Sequence, residues 1–358
     1  MVRESLAPWL ATAGYHCGMA GKYFTSADAG TKPPGWAWWR GIVRSPGSTA
    51  QLGVLDANDY GIFDGSSTIY PGQHQMSYLT DQIKSFVGTA PEPWFLWDCP
   101  TSPHWLFQPT PRRAQSVADV NWPVVGTDTS GKPSWMRELP APTDAQIARD
   151  RILINQMLLE VIDLDDHLAA ILRVLRDANI AERTTIIYTS DNGDALLDYR
   201  IPAFSKNLPY DVSSRVPLVC AGPDFPAGLT VGAPVSTGID VTATCLDIAH
   251  ARATVPQDGV SLIRTAERPR GHRRRVVSGS CTELESPRLN IPENQWIVVD
   301  QGRGLRKLIR YAGQSGADEF EAYDLDDDPH ELRNWANETR RRPERRRLEA
   351  ALALAFAR

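Results

Sequence analysis

Residues Thr184–Pro217 read TTIIYTSDNGDALLDYRIPAFSKNLPYDVSSRVP, and this stretch decides the fold class. A short apolar run at Ile186–Tyr188 stops at Asp191 and Asn192, which predicts a buried strand that ends in a loop. Open α/β sheets bind their ligands outside the carboxyl ends of the strands. Carboxylate and amide oxygens suit a hard cation such as Ca²⁺ or Mg²⁺. With Lys206 on the following loop to meet an anionic group, the stretch favours metal-dependent hydrolysis of charged esters.

The segments around this stretch alternate between helix and strand signals. Apolar residues recur at helical spacing over Asp144–Ala178, and Thr143 is placed to cap that helix. A second helix is predicted over Tyr78–Val87, followed by a buried strand at Trp94–Asp98. After residue 276, four strand-like segments follow one another without long helices between them.

The predicted fold class is α/β. We expect a mixed, mostly parallel sheet flanked by helices over residues 1–265, and a small α+β subdomain built on an antiparallel sheet over residues 266–358.

The composition and charge of the chain argue against some classes of function. The chain has 358 residues, a hydrophobic content of 42%, a charged content of 23% and a net charge of −5, which argues against a general nucleic-acid binder. No stretch approaches the roughly 20 apolar residues of a membrane span, and no signal segment is recognisable at the start. Basic clusters at Arg268–Arg275 and Arg340–Arg347 are typical of solvated faces, with anion or polymer binding as the alternative.

Several residues are candidates for chemistry. Asp191 and Asn192 are candidate metal ligands, although Asp-Asn-Gly is also favoured in an ordinary Asx turn. Lys22, Lys206 and His104 are candidates for binding an anion or transferring a proton; solvated lysines and a surface or capping histidine are the alternatives. Cys99 is interpreted as structural rather than as a nucleophile.

Longer strings support these candidates jointly. The chain resembles the sulfatase family of the alkaline-phosphatase-like superfamily, and lies nearest to its N-acetylglucosamine-6-sulfatase-like branch. The similarity covers essentially the whole chain in the expected order. The strings that carry it are GYHCGMAGKYF, KPPGWAWWRG, PWFLWDCPTSPH, KPSWMRELP, TTIIYTSDNG, SKNLPYD, SRVPLVCAGP and EAYDLDDDPHELRN.

The resemblance implies hydrolysis of sulfate esters of sugars or aryl alcohols. It implies that Asp191 and Asn192 supply two of the four protein ligands of a Ca²⁺ ion, and that Lys22, His104 and Lys206 contact the sulfate group or the leaving oxygen. The aromatic loop 36–39 either stacks on a sugar or packs internally. Relatives are often periplasmic or secreted. The sequence leaves the localisation, the oligomeric state and the natural substrate open.

One part of the family pattern is not found. Sulfatases use a formylglycine made from the cysteine of C-x-P-S-R, and no C-x-P-S-R occurs in this sequence. In the family, that motif and a pair of acidic ligands precede the segment that matches Leu6–Lys22. We therefore expect an N-terminally truncated chain that binds Ca²⁺ weakly, exposes sheet edges and shows no turnover as it stands. The alternatives are a non-catalytic, anion-binding remnant and a phosphoester or phosphonate hydrolase of the same superfamily.

Overall fold

The computed structural model describes residues 4–23, 31–45, 56–116, 118–267, 276–281, 289–302, 304–313 and 316–357. The basic cluster at Arg268–Arg275 lies outside these residues. The helices, numbered in chain order, are α1 Leu6–Thr12, α2 Gln75–Thr89, α3 Ser134–Arg137, α4 Asp144–Asp177, α5 Asp211–Ser214, α6 Thr237–Ile248, α7 Leu262–Glu267 and α8 Arg342–Phe356.

The strands form three sheets in the described residues. They are β1 His16–Gly21, β2 Trp38–Arg44, β3 Tyr60–Phe63, β4 Thr68–Ile69, β5 Trp94–Cys99, β6 Ile186–Thr189, β7 Leu218–Ala221, β8 Val276–Cys281, β9 Asn294–Asp300, β10 Leu305–Tyr311 and β11 Glu319–Asp324. The five-stranded sheet has the order β4-β3-β2-β1-β5, with β1 parallel to β2 and β5; β6 and β7 form an antiparallel pair. Strands β8 to β11 form a separate antiparallel sheet.

The predicted fold class is confirmed, because helices flank a mixed sheet and a separate antiparallel sheet follows. The helix predicted from Asp144 is one continuous helix, α4, of 34 residues. Thr143 caps it in a capping box with Gln146, which satisfies amide groups that the first turn leaves without partners. Helix α4 packs with α2 over the five-stranded sheet. The domain boundary at residue 265 stays a prediction.

Two strands predicted to be buried are only half-buried. Strand β1 is buried from Cys17 onward because β2 and β5 pair with both of its edges and apolar clusters cover both of its faces. In the described residues, β5 pairs only with β1, and β6 only with β7. Side chains on these two strands remain accessible: Trp97 is 39% exposed and Tyr188 is 37% exposed.

The segment 36–39, expected to be a loop, enters strand β2 at Trp38 and packs internally. Trp36 and Trp39 are buried, with their ring centroids 5.8 Å apart, and Tyr23 packs edge-on against both. Trp38 is covered on one side by Phe86 and on another by the guanidinium of Arg40. Of the two interpretations of this loop, the structure therefore supports packing rather than stacking on a sugar.

The C-terminal sheet is covered on both faces. On one face, Leu308 and Ala322 pack with Leu348 and Leu352 of α8. On the other, Ile309 and Tyr323 pack with Tyr199, Tyr210 and neighbours from the α/β part. Adjacent strand residues point to opposite faces, so each strand contributes to both cores.

Charged groups are buried on the inner face of this sheet. The Nζ atom of Lys307 lies 2.8 Å from Asp211 and 2.8 Å from Glu331, and Lys307 and Glu331 are both fully buried. Lys132 donates to the hydroxyl of Tyr323 and lies 3.5 Å from the carboxylate of Glu321. The Lys307–Asp211 pair attaches α5 to the C-terminal sheet, and the Lys132–Glu321 pair attaches the segment before α3 to it. Among the described residues, no helix combines the length and the apolar character that a membrane crossing requires.

Candidate active site

The carboxyl ends of β1 and β5 bring the first two candidate residues together. Gly21 pairs with Cys99 so closely that a Cβ at position 21 would lie 1.9 Å from the Cys99 carbonyl oxygen. Gly21 also has a φ of +109°, which only glycine adopts readily. The amide of Lys22 then donates to the Cys99 carbonyl over 2.7 Å. This contact sets Lys22 beside the loop that carries His104.

Lys206 and His104 are in direct contact although 102 residues separate them. The Nζ atom of Lys206 lies 3.4 Å from Nε2 of His104, and Nδ1 of His104 lies 3.3 Å from the carbonyl of Trp105. With the Nδ1 proton directed at that carbonyl, Nε2 is left as an acceptor facing the ammonium group. This arrangement describes a neutral imidazole.

The electrostatics at the three basic groups favour the arrival of an anion. Burial lowers the pKa of His104 below its ordinary value of 6.5, and the charges of Lys206 and Lys22 lower it further. Burial also lowers the pKa of Lys22, and Lys206 adds to that effect, whereas Asp191 opposes it. Burial and neighbouring positive charge therefore destabilise the charged forms of Lys22 and His104. A bound anion would relieve this repulsion.

Asp191 and Asn192 follow β6, as predicted. A carboxylate oxygen of Asp191 accepts from the Asn192 amide over 2.9 Å, and the Asn192 side chain donates to the Gly193 carbonyl over 3.1 Å. Gly193 donates to Ser213 over 2.9 Å, and a Cβ there would meet the Val212 carbonyl at 2.3 Å. The loop is thus fastened to α5.

The described residues supply only part of a calcium site. In them, no group of three His, Cys, Asp or Glu side chains is arranged to hold a metal ion. Ca²⁺ takes about six to eight oxygen ligands, and Asp191 with Asn192 supply too few. No catalytic step is therefore assigned to a metal, and the ligand roles of these two residues stay a prediction.

Asp194 belongs to the same site and was missed in the sequence. Its carboxylate interacts electrostatically with Lys206 and Asp191, and burial raises its pKa above the ordinary 3.8. The available signal was its position two residues after Asn192. Cys99 also lies near Lys22 and Asp191, but burial raises the pKa of its thiol to about 12. A thiol that stays protonated at neutral pH is a poor nucleophile, which agrees with a structural role.

Buried side chains hold the loop before His104. The Thr101 hydroxyl donates to Gln75 of α2 over 2.5 Å, and the amide of His104 donates to the Thr101 carbonyl over 2.9 Å. Glu160 of α4 accepts hydrogen bonds from the Ser102 hydroxyl and the Gln108 backbone, while burial raises its pKa to about 7. These residues attach the His104 loop to both helices.

The Lys206 loop is fixed at its two ends. Ala195 donates to the carbonyl of Ser205 over 2.8 Å, immediately before Lys206. After it, the amide of Leu208 donates to the Ser213 hydroxyl over 3.3 Å. Lys22, His104, Lys206 and Asp191 therefore converge from four separate parts of the chain.

Comparison with known proteins decides the family. The model of the family described as Sulfatase matches residues 2–251. The chain belongs to the sulfatase family. An arylsulfatase of Volvox carteri is 27% identical over 414 residues, covering 98% of this chain and 61% of the relative. An extracellular sulfatase homologue of Drosophila melanogaster is 24% identical over 267 residues, covering 73% of this chain and 24% of the relative. The chain thus spans less than two thirds of the length of these sulfatases.

Solved structures share the fold. A protein in complex with its substrate D-glucosamine-2-N,6-O-disulfate superimposes with a TM-score of 0.77 at 19% identity, covering 98% of this chain and 81% of the other. The phosphonate monoester hydrolase of Agrobacterium radiobacter superimposes with a TM-score of 0.71 at 19% identity, covering 98% and 79%. At such identities the likeness concerns the fold alone, and it places the sulfatase described here in the alkaline-phosphatase-like class.

Proposed function

We propose that this sulfatase hydrolyses sulfuric esters, R–O–SO₃⁻ + H₂O → R–OH + HSO₄⁻, with water supplying the oxygen that replaces the alcohol oxygen on sulfur. The observation that carries the proposal is the convergence of Lys22, Lys206 and the neutral imidazole of His104 near the carboxyl ends of β1 and β5, with the positive charges of the two lysines opposing one another. This arrangement stabilises a bound group with several anionic oxygens more than it stabilises a neutral ligand. Family membership and the arylsulfatase relative support the same reaction.

The basic groups would have separate roles. Lys22 and Lys206 would neutralise the non-bridging oxygens of the ester and stabilise charge as the ester bond breaks. His104 would protonate the departing alkoxide. That role requires a proton on Nε2, and an anion between Lys206 and His104 would favour it by offsetting the charge of the ammonium group.

The substrate is a sulfated sugar or an aryl sulfate in this proposal. The arylsulfatase relative and the structural neighbour with a bound sulfated glucosamine support these two classes. The family's Ca²⁺ and formylglycine remain expectations that come from the resemblance. The four cysteines whose side chains are described all carry raised thiol pKa values, so no nucleophile is assigned among them.

The test combines binding with turnover. Sulfate binding is measured by calorimetry, and hydrolysis with matched aryl sulfate and aryl phosphate esters. We expect Lys206→Ala to weaken sulfate binding at least tenfold, which corresponds to about 1.4 kcal/mol for a charged contact. The control is Lys84→Ala, which removes an exposed lysine of α2 that pairs only with Asp81 at 3.4 Å in the described structure. Unchanged sulfate binding in Lys206→Ala would exclude the site.

Three outcomes distinguish the candidate functions. Faster cleavage of the sulfate than of the phosphate ester supports the proposal. The reverse preference would favour a phosphoester or phosphonate hydrolase, the second candidate that the fold neighbour suggests. Sulfate binding without turnover of either ester would agree with the expectation that the chain shows no turnover as it stands, and would favour a non-catalytic, anion-binding protein.

A further inference from the structure

A second basic surface lies at the beginning of α8, made by residues that the proposed reaction does not use. Arg342, Arg345 and Arg346 line an open depression of about 220 Å³ together with Ala336 and Asn337. We call these three arginines the α8 arginine surface. The chain as a whole carries a net charge of −5, so this concentration of positive charge is local.

The three arginines differ in how they are held. Arg345 donates to the Ala336 carbonyl over 3.1 Å, pairs with Glu349 at 2.8 Å and lies over the ring of Phe320. Arg342 and Arg346 are exposed, and neither side chain forms a hydrogen bond, an ion pair or a ring contact within the described part of the chain. One guanidinium is therefore fixed at the wall of the depression, and two project from it into solvent.

Local electrostatics disfavour these charges in the protein alone. The amino end of a helix carries partial positive charge, so cations there are destabilising. Arg342 and Arg346 are also four residues apart, where like charges repel on a helix surface. The acidic residue of the first turn, Glu344, is already engaged by Arg341 at 2.8 Å and by Arg306 at 3.3 Å. No carboxylate in the described ranges pairs with either exposed arginine, so an external anion would offset their charges.

We propose that the α8 arginine surface binds an acidic polysaccharide through its sulfate or carboxylate groups. Guanidinium groups pair with such oxyanions through two parallel hydrogen bonds. Arg342 and Arg346 are separated by one helical turn, about 6 Å along the axis, which suits successive charges on a chain better than one enclosed ion. The inference does not depend on the proposed hydrolysis.

The surroundings favour a polysaccharide over a nucleic acid. Proteins that bind single strands stack bases on open aromatic rings. The nearby rings are covered instead: Arg341 lies 3.6 Å from the centroid of Trp335, and Arg345 lies 5.1 Å from that of Phe320. Charge pairing is thus the interaction that this surface offers.

The test uses the full chain and immobilised dextran sulfate, with neutral dextran as the blank. We expect R342A/R346A to weaken binding about tenfold at low salt and to reduce the slope of log Kd against log salt, because fewer counterions are released. The matched control R112A/R149A removes two arginines whose side chains are 75% and 67% exposed, with the same change in net charge. This control is expected to change Kd less than twofold.

Two further measurements separate binding from folding. Without ligand, R342A/R346A should melt no lower than the wild type, because the removed charges are unfavourable there. R342K/R346K keeps the charges but lacks the paired guanidinium donors, so it should bind more tightly than R342A/R346A and more weakly than the wild type. An equal loss in R112A/R149A, or unchanged binding in R342A/R346A, would overturn the proposal. Binding of duplex DNA that is tighter than binding of dextran sulfate would replace the polysaccharide with a nucleic acid and overturn it too.

Discussion

Replacing Lys307 by methionine tests whether the buried ion pairs hold the C-terminal sheet against the Lys206 segment. Lys307 is fully buried, with its Nζ 2.8 Å from Glu331 and 2.8 Å from Asp211. Methionine retains most of the side-chain volume and the packing near Trp296, but leaves two carboxylates without their cation. Removing one partner of a buried pair costs about 3–5 kcal/mol. Glu331 contributes most of that loss because Asp211 is partly solvated, with its side chain 16% exposed.

The pH dependence of this loss has a defined sign. Burial raises the pKa of Glu331 above its ordinary 4.5, and the ammonium group of Lys307 opposes that rise. Without the ammonium group of Lys307, the folded variant keeps a proton on Glu331 above pH 4.5, where the unfolded chain releases it. The free energy of unfolding of the variant therefore decreases as the pH rises above 4.5. The difference from the wild type should be larger near pH 8 than near pH 5.

Urea denaturation followed by tryptophan fluorescence measures both effects. Lys307→Met should lose about 3–5 kcal/mol near neutral pH, and Lys307→Met/Glu331→Gln should recover part of it because one uncompensated charge is removed. The matched control Lys84→Met breaks an exposed pair and should lose less than about 1 kcal/mol. A loss below about 1 kcal/mol in Lys307→Met, or one that does not vary with pH, would refute the reasoning.

Three further predictions concern the candidate site. Gly21→Ala should lower the free energy of unfolding by at least about 3 kcal/mol, because its Cβ would lie 1.9 Å from the Cys99 carbonyl oxygen at a positive φ. The control Gly72→Ala, at a φ of +67° with nothing within 4 Å, should lower it by only about 1–2 kcal/mol. Equal losses in the two variants would contradict the contact with Cys99. Burial raises the pKa of Glu160 from 4.5 to about 7, so the stability of the wild type decreases as the pH rises from 4.5 to 7. Glu160→Gln should therefore be more stable than the wild type by about 3 kcal/mol above pH 7 and similarly stable near pH 4.5. A difference that does not depend on pH would exclude this titration. Because the pKa of His104 is lowered in the folded state, the unfolded chain is protonated at this position first as the pH falls below 6.5, and the free energy of unfolding decreases. His104→Asn should show a smaller decrease between about pH 7.5 and 5.5. A decrease equal to that of the wild type would contradict the pKa shift.

Much of the fold could be predicted from local pattern. The helical spacing and the Thr143 cap located α4, because capping and amphipathic periodicity depend on residues a few positions apart. The strand at Ile186 and the four C-terminal strands were likewise visible as short apolar runs between turns. The partial exposure of β5 and β6 could not be predicted from the sequence, because the burial of a strand depends on which other strands pair with its edges.

The candidate site, too, could be predicted from the sequence only in part. The sequence by itself determined the sulfatase family and singled out Lys22, His104, Lys206 and Asp191, since each lies in a string typical of that family. Only the tertiary structure decided that Lys206 lies 3.4 Å from His104, that Asp194 shares their site and that Glu160 supports the loop before His104. These contacts join residues distant in the chain, and their energies come from burial and Coulomb interactions that exist only after folding.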